Sequence, residues 1–98
     1  MNVLVFGPSS FISTLNELIP FLKFNPLFEE INNKYDVILF HNEALKDKKQ
    51  KIFIEKSSDI KIYTSNKKDL LSNYDAYLEL PANLKEINAV VENIFAKS

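Results

Sequence analysis

At 98 residues, with 46% apolar and 26% charged side chains and a single glycine, the chain has room for one hydrophobic core and not two, and a disordered chain is excluded. Its 12 basic residues, all lysine, stand against 13 acidic ones, so there is neither a broad phosphate-neutralising face nor a guanidinium fork, and nucleic acid is excluded as a partner. The lack of cysteine rules out disulfides, thiolate chemistry and sulfur-ligated zinc, and there is a single histidine, His41; no metal or other cofactor is expected.

Residues 1–98 are read as one domain. No basic leader precedes the apolar run at Asn2, and no apolar stretch approaches the roughly 20 residues needed to span a bilayer, so a cytoplasmic chain without membrane contact is expected. Asn2 to Phe6 (NVLVF) is β-branched and apolar and stops at Gly7-Pro8, which predicts a buried strand and a turn. Ser9 or Ser10 can cap a helix carrying Phe11, Ile12, Leu15, Leu18 and Ile19 at helical spacing, and Pro20 ends it because it lacks an N–H.

Phe21 to Phe28 (FLKFNPLF) leaves open a brief second strand, the start of a helix reaching Asn33, or both in compressed form; its cluster Phe21, Leu22, Phe24, Leu27 and Phe28 is either core, the favoured reading in so short a chain, or an exposed apolar patch for a partner. Tyr35 to Phe40 (YDVILF) is nearly continuous in apolar residues, the pattern of a strand covered on both faces in a parallel sheet. Ala44 to Ser58 is open to two readings: its KIFIE core alternates like a strand, while Ala44, Leu45, Lys48, Ile52 and the Lys-rich lead suit an amphipathic helix, which is preferred because a crossover is needed here. Its Lys46, Lys48, Lys49 and Lys51 make a solvated face.

Ile60 to Thr64 (IKIYT) is a further strand, Ser65 to Asn73 holds enough for a turn or two of helix, and Ala76 to Leu80 (AYLEL) is the last strand. Asn83, with Glu86 three residues on, forms a capping box for a helix presenting Leu84, Ile87, Val90, Val91, Ile94 and Phe95 on one face. Strands alternating with helices predict right-handed crossovers and a parallel α/β sheet of four or five strands, sandwiched by shortened helices.

Laid out in this order, the chain resembles the receiver domains of response regulators, the CheY-like superfamily with its three-layer, flavodoxin-like sheet. DAYLELPANLKEINAVV is similar to the family's fifth strand, Lys-Pro step and final helix, YDVILFH to the strand ending in the phospho-accepting aspartate, and IKIYTS to the strand ending in the switch Thr or Ser. The resemblance places Thr64 at the switch position and Tyr77 at the switch aromatic. It places Gly7-Pro8 where the metal-binding acidic pair stands, His41 at the phospho-acceptor and Leu80 at the lysine that steadies the acyl phosphate. A hard divalent cation takes oxygen ligands with carboxylates among them, which a Gly-Pro step does not supply. Gly7, Pro8, His41, Thr64 and Leu80 would thus form a degenerate receiver pocket.

Two other chemistries could use the same positions. GPSSFIS is similar to a dinucleotide fingerprint with Ser10 and Ser13 in place of the later glycines, and a strand-exit turn accounts for it better. His41 could titrate near neutrality or carry a phosphoryl group, but apart from Glu43 and nearby Asn42 no partner is in view, and no serine pairs with it in a recognisable catalytic order. The resemblance implies a non-enzymatic, phosphorylation-independent protein-interaction module of a bacterial signalling, motility or transcription pathway. Its expected face is Lys67, Leu70, Tyr77, Glu79 and Asn88, which could also form a homodimer. The alternative is a small-ligand sensor using the crevice at the carboxyl ends of the strands.

Overall fold

Alternation of β-branched and apolar residues with turn signals produces five strands, and their pairing is parallel throughout. The computed structural model describes residues 1–29, 34–57, 59–66 and 74–97. β1 (Asn2–Phe6), β2 (Asn25–Phe28), β3 (Val37–His41), β4 (Ile60–Ser65) and β5 (Ala76–Glu79) form one sheet in the order 2-1-3-4-5. Helices α1 (Ser9–Glu17), α2 (Lys48–Lys56) and α3 (Leu84–Lys97) lie on its faces. The fold is the parallel α/β sandwich expected, with five strands.

Because successive side chains of a strand point to opposite faces, each central strand feeds two cores. Val3, Val5, Val37, Leu39, Ile62 and Leu78 pack with Leu15 of α1 and Ile87 and Val91 of α3 on one face. Leu4, Phe6, Ile38, Phe40 and Tyr63 pack with Ala44 and Ile54 on the other. Four of five residues in β1 and in β3 are buried, and a fully buried aliphatic side chain is worth roughly 1.5–3 kcal/mol. A charge at Leu4 or Leu39 would have no route to water.

The first crossover departs from expectation at its start. Pro8, not Ser9 or Ser10, is the N-cap of α1, and it supplies no side-chain bond; the serines instead open the helix. Ser10 lends its carbonyl to the Thr14 hydroxyl at 2.9 Å. Pro20 does end the helical path, by imposing a 3₁₀ turn over Ile19–Phe21. Leu18 and Leu22, joined by a Leu22 N–H to Leu18 carbonyl bond of 3.1 Å, turn inward and leave the intervening residues outside. Phe21, expected in the core with its neighbours, is therefore 63% exposed, whereas Phe24 is buried.

The second strand exists but is only four residues long, with Pro26 buried inside it. Asn25 and Glu29 donate to the Met1 and Val5 carbonyls, so the alternate residue Pro26 faces away from the ladder, where its missing N–H costs nothing. The continuation of the alternative helix to Asn33 lies outside the described residues, as does most of the segment from Ser65 to Asn73.

Between β3 and β4 the expected helix is divided. Asn42–Lys46 forms a 3₁₀ helix, and Asp47 then caps α2 by accepting the Lys49 and Gln50 N–H groups at 3.0 and 3.1 Å. The new start resets the helical register, so Ile54 faces the core and Ile52, expected inward, faces solvent. Lys46, Lys48, Lys49 and Lys51 are all exposed. The capping box of α3 closes as the sequence indicated: Glu86 N–H donates to Asn83 Oδ1 at 2.8 Å, and Asn83 N–H to Glu86 Oε1 at 3.1 Å. Ile87 and Val91 form the buried seam, flanked by half-buried Leu84, Val90 and Ile94; the Phe95 side chain lies outside the described set.

No helix among the described residues is long and apolar enough to cross a membrane.

Candidate functional site: the carboxyl ends of the strands

In an open parallel sheet, ligand-facing residues collect where the strands end and the helices begin. Register fixes who meets whom there. Phe6 pairs with Phe40, so the next positions are Gly7 and His41; His41 pairs with Thr64 and Thr64 with Leu78. Alternation turns His41 and Thr64 toward the α1/α3 face, because Leu39 and Ile62 two residues earlier belong to that core. The fold thus brings Gly7, Pro8, His41, Thr64 and Leu80 to one end of the sheet.

Their environment is apolar and tightly filled beside β1. Gly7 has no positive φ, so its requirement for glycine is one of space. A methyl group there would come within 2.6 Å of Phe11 Cδ2 and 3.1 Å of His41 Cβ. The Phe11 ring lies 5.3 Å from the His41 imidazole, centroid to centroid. What remains open is a cavity of about 260 Å³ whose lining includes Phe11, Thr14, His41, Leu80, Pro81 and Ile87. The lining carries no carboxylate and no lysine.

His41 is engaged locally. Its Nδ1 accepts the Glu43 N–H at 3.0 Å, making it the N-cap of the 3₁₀ helix that follows β3. The neutral tautomer therefore carries its proton on Nε2. Burial pushes the imidazole pKa below its usual value, with the Glu43 carboxylate acting more weakly in the opposite direction. A phosphoryl group on Nδ1 would require breaking the cap.

Thr64 is fully buried, and its Oγ1 finds no hydrogen-bond partner among the described residues; Asn42 Oδ1, just beyond β3, is in the same condition. Neighbouring Ser65 is held by its backbone, whose carbonyl accepts both Leu80 N–H at 2.9 Å and the Tyr77 hydroxyl at 3.2 Å. Tyr77 is half-buried, its ring 5.9 Å from that of Tyr63, so the aromatic of β5 is tied to the end of β4.

The expected interaction face is divided by the structure. Tyr77 and exposed Glu79 share one side of edge strand β5. Lys67 and Leu70 lie outside the described residues. Asn88 does not belong to an exposed face: it is 8% exposed, its Oδ1 accepts Lys23 N–H at 2.9 Å, and its Nδ2 donates to the Phe21 carbonyl at 3.2 Å. It fastens α3 to the turn after α1.

Two residues that shape this surface are weakly marked in the sequence. Phe11 fits the helical apolar stripe of α1, and only the lone glycine at the preceding strand exit hints that a ring needs the space. Phe21 is betrayed by Pro20, since a 3₁₀ turn cannot keep consecutive residues on the inner face. Among the described residues no three His, Asp or Glu side chains converge as a metal site would require.

No family model matches the sequence, and no curated protein matches it. A crystal structure of a LuxR family DNA-binding response regulator from Silicibacter pomeroyi resembles it in fold, with a TM-score of 0.66 and 14% identity over 100% of this chain and 93% of that one. The likeness is one of fold: a parallel five-stranded α/β sheet in the order 2-1-3-4-5.

Proposed function

We propose that this chain is a receiver-like domain that works without phosphorylation, as a non-enzymatic protein-interaction module of a bacterial signalling, motility or transcription pathway. One observation carries the reading: at the strand ends, where receiver chemistry needs carboxylates and a lysine, the chain places Gly7, Pro8, His41 and Leu80, with the Phe11 ring packed over the glycine. A divalent cation would find no side-chain oxygen at Gly7-Pro8. Thr64, at the switch position, is left with nothing to grip.

The surface proposed for recognition is the side of β5 that carries Tyr77 and exposed Glu79, and the proposal extends to Lys67 and Leu70, which lie outside the described residues. Tyr77 offers a half-buried aromatic with a tethered hydroxyl, the type of amphipathic anchor that interfaces favour. The domain is proposed to be cytoplasmic, in keeping with such pathways.

The test has two arms. Incubation with acetyl phosphate and Mg²⁺ should leave the mass and the amide NMR spectrum unchanged. Gain of a phosphoryl group would overturn the proposal. Once a cross-linked partner from the source organism is identified, Tyr77→Ala should weaken its binding at least about tenfold with the fold intact. An unchanged affinity would remove β5 from the interface.

A further inference from the structure

The most exposed large apolar side chain among the described residues is Phe21, held outward by the 3₁₀ turn and fixed in height by its carbonyl bond from Asn88. It stands at the wall of a groove of about 500 Å³ shared with Lys23 and with Lys85, Ala89 and Glu92 of α3. Nothing on this side of the molecule is used by the β5 surface discussed above.

The exposed stripe of α3 has a pattern that reads the same in reverse. At 100° per residue Lys85, Ala89, Glu92 and Ala96 fall within a narrow band of the helix surface, and all four are exposed. Lys85 and Glu92 are two turns apart, about 10 Å along the axis, with opposite charges and the small Ala89 near their midpoint. Lys85 makes no ion pair among the described residues, whereas Glu92 has only an exposed partner, Lys23, at 3.4 Å. A two-fold axis perpendicular to α3 near Asn88 and Ala89 brings Lys85 of each copy opposite Glu92 of the other. The same axis passes at the height of Phe21, because Asn88 fixes that height.

We propose that a second copy of this chain docks here, as an isologous dimer in which two α3 helices pack antiparallel, Lys85 pairs with the second copy's Glu92, and each Phe21 covers the other copy's Ala89. Charge self-complementarity selects the occupant. An acidic or basic foreign surface would match one end of the stripe and repel the other, while an identical stripe turned through the two-fold matches both. Ala89 allows the helix axes to approach closely, and Phe21 supplies the buried aromatic anchor. Lys23 completes a three-charge cluster around Glu92.

The proposal is independent of whether the chain can be phosphorylated or binds through β5. Sedimentation velocity on the full chain over a concentration series tests it. The wild type should show a concentration-dependent monomer–dimer equilibrium weakened by salt, and Phe21→Ser should weaken it at least about tenfold. Lys85→Glu and Glu92→Lys should each weaken it about tenfold, and the double variant should return to within about threefold of wild type. These are exposed positions, and circular dichroism checks that each variant is folded. A monomer at all concentrations, a double variant no better than the singles, or a dimer sensitive to Tyr77→Ala and not to Phe21→Ser would overturn it.

Discussion

The ring of Phe11 and the imidazole of His41 meet at 5.3 Å with a tilt of 56° above the point where β1 gives way to Gly7. Glycine at position 7 is thus a consequence of the phenylalanine four residues later. Gly7→Ala is expected to cost about 1–2 kcal/mol through overpacking, and Phe11→Leu should recover much of that loss in the double variant. Urea unfolding of the two single variants and the double variant measures the coupling. Strictly additive losses would show that the two positions do not share space.

A buried hydroxyl without a partner lowers stability relative to a methyl group of the same shape. Thr64→Val should therefore be neutral or stabilising by up to about 1 kcal/mol. Chemical denaturation gives the sign. A loss of that size would mean that Oγ1 is satisfied in solution.

Asn88 uses both ends of its amide to hold the turn after α1 against α3. Asn88→Ala should cost about 2–3 kcal/mol, since it leaves the Lys23 N–H and the Phe21 carbonyl without that partner. The same variant should speed hydrogen exchange at Lys23 selectively. Uniform exchange across the chain would assign the loss to global destabilisation alone.

Acidification should act through His41. Its folded-state pKa lies below the ordinary 6.5 because burial disfavours the cation, so the unfolded chain binds the proton first. The stabilisation is fully present above about pH 6.5, falls as the pH drops through that value, and stops falling once the lowered folded-state pKa is passed. His41→Asn keeps a cap acceptor and cannot titrate, so its stability curve should be flatter over this window. Equal slopes for variant and wild type would place the titrating group elsewhere.

The sheet was readable because NVLVF and YDVILF are too apolar to tolerate a wet face, and their order with IKIYT and AYLEL dictates parallel crossovers. The last helix announced itself through Asn83 and Glu86, a reciprocal pair that needs no tertiary information. Less legible was anything decided between elements. Asp47 restarts a helix whose apolar spacing runs through it, so Ile52 looked inward from sequence and is not. Asn88 is a polar residue at the border of its helix's apolar stripe, and its burial is completed by the Phe21 turn to which it bonds. For the crevice, residue types were visible and their packing was not: Gly7, Pro8 and His41 at the strand ends are compatible with an open hollow or a filled one, and Phe11 decides.

Pro26 leaves one further mark on the molecule. β2 is an outer strand of the sheet, and the face of its backbone turned away from β1 lacks a donor at the middle of its four residues. An incoming strand would meet a ring in place of a hydrogen bond, so sheet-to-sheet growth is blocked along that margin. Along that margin, contact is thereby turned from backbone pairing, which is indifferent to sequence and can repeat without limit, to side-chain surfaces, which are specific.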